Sequence, residues 1–260
     1  MFTIGADPEI FIGQGGHFLS AHGLIPGTKE KPYRVDRGAV QVDGVALEFN
    51  IDPATSYQEF QLNLDTVREK LKSMVPNYDF LTDVTVELDP GYKAQLPPEV
   101  VEIGCKPDIN AYTEETSEGP DPDTNIRAVG GHVHIGGLFG PEDTTADRHR
   151  LALRMTRLMD QHVGVYSLLW DKDDRRRSIY GAAGACRIRD YGVEYRSLSN
   201  QWLFSPRITK FVYEGTERAF AALRRGEDVE TDLYRSIINN SDRGNAFFGE
   251  SSLARYLSTL

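Results

Sequence analysis

Hydrophobic and polar positions change rhythm along the chain, and the rhythm divides it into elements. Around Gly130 to Gly137 the period is two: His132 and His134 fall on one side, Val133 and Ile135 on the other. Such alternation predicts a half-buried strand with same-face neighbours about 6–7 Å apart at Cα. Glycine pairs at both ends leave room for a ligand or another backbone to come close. The same rhythm predicts strands at 2–4, 10–12 and 17–19, with a turn over 13–16, and a hairpin over 39–51 turning at Asp43 and Gly44. Pro8 removes a ladder donor, so the segment around it is expected to bend or to lie at an edge. Further strands are expected at 83–88, 100–103 and 191–198.

A spacing of three to four takes over at 54–75, where Phe60, Leu64, Val67 and Leu71 form one apolar stripe. Thr55 or Ser56 supplies the N-cap, and Glu59 completes a capping box with Ser56. From Pro141 to about Trp170 apolar residues occupy more than one side, which predicts a long, substantially buried helix. Helices are also expected at 206–225, 229–239 and 250–258. Residues 107–125 are acidic and turn-rich and predict a mobile surface loop, either a plain connection or a lid. No repeat or linker interrupts the pattern, so residues 1–260 are expected to form a single domain of the α+β class.

Composition narrows the function classes. A net charge of −10 argues against broad nucleic-acid binding, although local arginines can still hold phosphate on an acidic protein. Cys105 and Cys186 lack metal-type spacing and read as free thiols in a reducing compartment. The first residues carry no basic and apolar leader, and no stretch reaches the roughly 18 apolar residues of a membrane span. A cytoplasmic location is expected.

Polar groups on the predicted strands supply the candidate chemistry. Asp7 and Glu9, two apart, project to one side, although Asp-Pro is also a common turn opener. Glu48 stands among Val45, Ala46, Leu47, Phe49 and Ile51, where an unpaired carboxylate is costly. Glu194 and Arg196 share a strand face, either as a simple ion pair or as a metal ligand beside a phosphoryl clamp. Asp7, Glu9, Asp43, Glu48, His132, His134 and Glu194 form an oxygen-rich set that suits Mg²⁺ or Mn²⁺ better than structural zinc. Six arginines fall within 175–196, at 175, 176, 177, 187, 189 and 196, and those spaced along Gly/Ala-rich extended chain suit polyphosphate. The stretch Gly23 to Lys29 is no P-loop, because Thr28 and Lys29 stand in the wrong order and no helix follows. That loop either offers Lys29 to substrate or is plain surface.

In order, Gly5-Ala6-Asp7-Pro8-Glu9, Asp43-Gly44-Val45-Ala46-Leu47-Glu48-Phe49, Gly131-His132-Val133-His134 and Val193-Glu194-Tyr195-Arg196 resemble the glutamine synthetase/glutamate–cysteine ligase superfamily. More closely, the chain resembles its phage-type carboxylate–amine ligase branch, over most of residues 3–205. The resemblance implies a curved, mostly antiparallel sheet backed by helices, like the glutamine synthetase catalytic domain. It implies that ATP phosphorylates a substrate carboxylate and that an amine, primary rather than free ammonia, attacks the acyl phosphate to give an amide or peptide bond. ATP and two or more Mg²⁺ or Mn²⁺ ions are the implied cofactors. Small-molecule or peptide carboxylates and amines are the implied partners, a homo-oligomer is compatible, and a phage-encoded enzyme would work in the host cytoplasm.

Residue by residue, Glu9 and Glu48, with Asp43, resemble ligands of a metal near the acceptor. Asp7, His132 and Glu194 resemble ligands of a metal bridging ATP phosphates, Asp7 standing where relatives often have Glu. His134 resembles the second histidine, nearer nucleotide than metal. Glu194 and Arg196 resemble the catalytic pair, Arg196 stabilising the transferred phosphoryl group. Arg177 and Arg187 are additional phosphate candidates. Three other readings stand beside this one: a phosphagen-type guanidino kinase, a His-x-His zinc hydrolase and a non-catalytic module.

Overall fold

A computed structural model describes residues 1–101, 108–117, 121, 124–227, 229 and 231–245. The chain opens with β1 (Thr3–Ile10), β2 (Ile12–Gln14), β3 (His17–Leu19), β4 (Tyr33–Val35), β5 (Gly38–Asp43) and β6 (Ala46–Ile51). Helix α1 (Tyr57–Met74), β7 (Asp79–Phe80), β8 (Thr85–Glu87), α2 (Pro90–Lys93) and α3 (Pro98–Val101) follow. Next come β9 (Ile109–Asn110), β10 (Ile126–Ala128), β11 (Gly131–Gly136) and α4 (Thr145–Met159), which continues through a π turn at Asp160–Gly164 into α5 (Val165–Ser167). After α6 (Arg175–Ile179), β12 (Ala185–Arg189) and β13 (Gly192–Tyr195), a 3₁₀ turn at Asn200–Phe204 leads to α7 (Pro206–Arg225) and α8 (Thr231–Asn239).

Eight strands form one sheet in the order β4-β5-β6-β1-β11-β13-β12-β9, and its pairings are antiparallel. Helix α1 lies against β5 and β6, α4 against β12 and β13, and α7 packs on both helices. The molecule is thus α+β, an antiparallel sheet backed by helices, as its pattern predicts.

Period two sorts every central strand. Ile4, Ala6 and Ile10 of β1, Leu47 and Phe49 of β6, Val133 and Ile135 of β11, and Val193 and Tyr195 of β13 are buried in one core with α1, α4 and α7. Burial of each such side chain is worth about 1.5–3 kcal/mol, which fixes the register and so fixes what the opposite face presents. That face carries Asp7, Glu9, Glu48, His132, His134 and Glu194.

Four expectations need correction. Strand β1 runs unbroken through Pro8 and lies inside the sheet, neither bent away nor at an edge. Glu9 N–H donates to Gly130 O on the β11 side and Ile4 N–H to Ala54 O on the other. Pro8 therefore faces the β6 side, where strand pairing covers only Glu9 and Ile10, and its missing donor is not called on. Residues 108–117 are not a free loop, because Ile109 and Asn110 form the edge strand β9 on β12. Residues 98–101 are helical rather than extended. The helix expected from Pro141 starts at Thr145, after a capping box between Thr144 and Asp147, and is interrupted by the π turn.

Helix α1 begins after Ser56, whose Oγ accepts from Glu59 N–H at 3.2 Å, while the Glu59 carboxylate reaches back to Thr55. Cys186 is a buried free thiol. Cys105, residues 102–103, part of the 107–125 segment and the expected 250–258 helix lie outside the described residues. Among the described residues no helix is long and apolar enough to cross a membrane.

Candidate active site

The polar face of β5, β6, β1, β11 and β12 lines a cavity of about 490 Å³, together with Lys29, Pro32, Tyr191 and Arg196. Register explains the gathering. Asp7 is paired with His132 on β11, Glu9 with Glu48 on β6, and Glu194 of β13 lies between His134 and Arg187. Segments more than a hundred residues apart in sequence thus meet on adjacent strands.

Two groups of ligand-type side chains result. Glu9, Asp43 and Glu48 each bring one carboxylate oxygen within 4.8 Å of the others. Few donors answer them: Gly130 N–H reaches Glu9 Oε2, Gln41 Nε2 reaches Glu48 Oε2 and Lys29 Nζ reaches Asp43 Oδ2, each at 2.8 Å. Burial, then the neighbouring Asp43 carboxylate, pushes the Glu9 carboxyl up to about 7. Burial and the charges of Asp7, Glu9 and Asp43 push Glu48 well above the usual range. Three converging carboxylates with so few donors are chemically suited to a hard divalent cation.

Asp7, His134 and Glu194 form the second group, again within 4.8 Å. Asp7 Oδ1 lies 3.1 Å from His132 Nδ1 and 3.0 Å from His134 Nε2. Burial raises the Asp7 carboxyl, but the two imidazoles outweigh it and hold the group well below its ordinary range. His134 moves the other way. Its burial opposes protonation, and the Asp7 carboxylate outweighs that.

The expected trio of Asp7, His132 and Glu194 is also brought together, His132 Nδ1 lying 3.1 Å from Asp7 Oδ1 and 3.9 Å from Glu194 Oε1, and His134 joins it. His132 has both ring nitrogens engaged, Nδ1 by Asp7 and by Arg196 Nη1 at 3.2 Å, and Nε2 by the Tyr180 hydroxyl at 2.7 Å. Burial and Arg196 push its imidazole toward the neutral form. Gly130 makes this packing feasible, since a Cβ there would collide with the His132 ring.

Glu194 is fully buried and is the hub for arginines. Arg196 Nη1 bonds its Oε1, Arg189 Nε bonds its Oε2 at 2.9 Å, and Arg187 Nη1 lies 3.6 Å from Oε1. Asp108 braces two of these, 2.8 Å from Arg196 Nε and 3.1 Å from Arg187 Nε. Tyr180 adds its hydroxyl to Arg196 Nη2 and its ring face to the guanidinium at 5.2 Å.

Arg177 is not in the cavity. It is buried against Asp171 at 3.2 Å and Asp174 at 3.3 Å, so its assignment to phosphate is withdrawn in favour of a local ion pair. Arg176 likewise serves the fold, donating to the carbonyls of Val129, Ser197 and Leu198. Lys29 lines the cavity, beside Asp43.

Sequence reasoning missed Tyr180, Gln41 and Asp108 as site residues, and it left Arg189 in the arginine-rich span without singling it out. Arg189 was findable, since period two puts it on the same face as Arg187, and Gln41 faces Glu48 across the predicted hairpin. Tyr180 and Asp108 carry no local signal.

No curated protein matches the chain. Residues 121–247 match a family model, described as Phage phiEco32-like COOH.NH2 ligase-type 2. The matched stretch contains His132, His134, Arg187, Arg189, Glu194 and Arg196, while Asp7, Glu9, Asp43 and Glu48 precede it and join it through β1 and β6. The match bears out the resemblance carried by the 131–134 and 193–196 motifs: over residues 121–247 the chain is similar to the phage-type carboxylate–amine ligase family.

Proposed function

We propose that the protein is an ATP-dependent carboxylate–amine ligase that forms an amide or peptide bond through an acyl phosphate. One observation carries the reading: two trios of ligand-type side chains gather at a single cavity, which all of them but the buried Glu194 line together with three arginines. Glu9, Asp43 and Glu48 would hold one Mg²⁺ or Mn²⁺ ion, and Asp7, His134 and Glu194 a second. Bound there, the ions supply positive charge for phosphate oxygens and align them for in-line transfer.

The chain's own groups do the rest. Arg187 and Arg189 offer guanidinium donors to the phosphates. Arg196, fixed by Glu194, Asp108 and Tyr180, stabilises charge on the phosphoryl group in transit, without needing to reorganise. Lys29 and Gln41 stand at the Glu9 end, suited to orient the acceptor. A carboxylate oxygen attacks the γ-phosphorus, the bond to the β–γ bridging oxygen breaks and ADP leaves. The amine nitrogen then attacks the acyl carbon, the C–O bond breaks, phosphate departs and the amine gives up a proton.

The three arginines lining the cavity favour a phosphate-bearing substrate over the His-x-His zinc hydrolase. The guanidino kinase is separated from the ligase by its product. Incubation with Mg²⁺, ATP and a pooled library of amines and carboxylates, followed by mass spectrometry, is expected to give condensation with loss of water and one ADP per bond. An N-phosphorylated product, or bond cleavage without ATP, would contradict the proposal.

A further inference from the structure

We infer that Asp160 is a positioning residue for the arginine cluster, acting from the helix side of the sheet through Tyr195, Tyr112 and Ser197. The inference rests on the role proposed above for Arg196. Asp160 is fully buried and does not line the cavity. Its Oδ1 accepts from the Tyr195 hydroxyl at 2.6 Å, with Ser197 Oγ 3.5 Å away, and its Oδ2 accepts from the Tyr112 hydroxyl at 2.9 Å. The backbone N–H of Gly184 also donates to this carboxylate.

Each donor belongs to a segment that supplies the arginine cluster. Tyr195 and Ser197 flank Arg196, and alternation along β13 puts the Tyr195 ring behind the sheet while Glu194 lies in front. Tyr112 follows Asp108, the carboxylate that braces Arg187 and Arg196. Gly184 opens the turn into β12, which carries Arg187 and Arg189. One carboxylate, with two oxygens and about four lone-pair sites, thus ties three segments together where a single hydroxyl could not.

The helix is shaped around this contact. Asp160 is the first residue of the π turn, a local expansion that interrupts regular α geometry at this point. Gly164 in the same turn leaves space for the bond, since a Cβ there would collide with the Tyr195 hydroxyl.

Asp160→Ala, Asp160→Asn and Tyr195→Phe test the inference, each measured for turnover, ATP KM, melting temperature and amide exchange. Tyr195→Phe deletes only a hydroxyl and guards against a variant that fails to fold. Asp160→Ala and Tyr195→Phe are expected to lower kcat by about tenfold or more while ATP KM shifts by less than about threefold. Asp160→Asn, which keeps an acceptor and a polar partner for the tyrosines, should restore kcat to within about threefold of wild type. Exchange at the Arg196 amide, which donates to Ala185 O, should rise in Asp160→Ala without a matching rise in α7. A lower melting temperature with wild-type kcat, or exchange that rises equally throughout, overturns the inference. If the wild type condenses nothing, the ligase reading fails, and the exchange pattern alone then supports or overturns the tie.

Discussion

Arg177 and Arg196 lie within twenty residues of each other, and the cavity needs only one of them. Arg196 sits at the end of a strand whose alternation directs it to the polar face, whereas Arg177 sits on a short helix with Asp171 and Asp174 beside it. Charge in a sequence carries no direction until an element supplies one, which is why three consecutive arginines could not be sorted. The two histidines make the same point more finely. Both were legible as a pair on one face, but which of them Tyr180 would occupy depended on a residue with no periodic signal. The contrast predicts kinetics. Arg196→Lys keeps a charge but loses the planar fork, and should cut turnover by about a hundredfold with a smaller change in ATP KM. Arg177→Lys should lower the melting temperature and leave turnover within about threefold; equal kinetic damage from both would count against the assignment.

Elements were legible where burial enforced a period. The strands at 39–51 and 131–136 and the helices at 57–74 and 206–225 each bury one face continuously, so register and type follow from pattern. Pattern failed where a neighbour decided the outcome. Pro8 is tolerated because β6 pairs past it, β9 exists because β12 offers an edge, and the π turn forms where Asp160 meets two tyrosines. That turn has a pH signature. Burial pushes the Asp160 carboxyl up to about 7, against the opposing pull of its Tyr195, Tyr112, Gly184 and Ser197 donors. Because the folded chain holds this proton more tightly than the unfolded chain, wild-type stability should fall relative to Asp160→Asn as pH rises from about 4 to 7, then level off. Thermal or urea melts of the two proteins across pH 4–9 check this; a difference that stays flat would contradict it.

At the scale of the molecule, the site belongs to neither half of the chain. Residues 121–247 carry the family match and the basic side of the cavity, while Asp7, Glu9, Asp43 and Glu48 reach it only because β1 and β6 pair into the same sheet. Composition and motif order suggested this meeting; the strand order β6-β1-β11-β13 accomplishes it, setting the Glu9, Asp43 and Glu48 carboxylates toward one side of the cavity and Arg187, Arg189 and Arg196 toward the other. Segregation of charge is what an enzyme needs if it is to bring a carboxylate and a polyphosphate together, since each anion requires its own counter-charge. The most direct test is a Mn²⁺ titration by electron paramagnetic resonance, with a non-hydrolysable ATP analogue present. Wild type should bind two ions per chain, and Glu48→Gln and Glu194→Gln should each retain one, losing different sites. No ion held tighter than about millimolar in wild type, or two retained in both variants, would contradict the shared-cavity account.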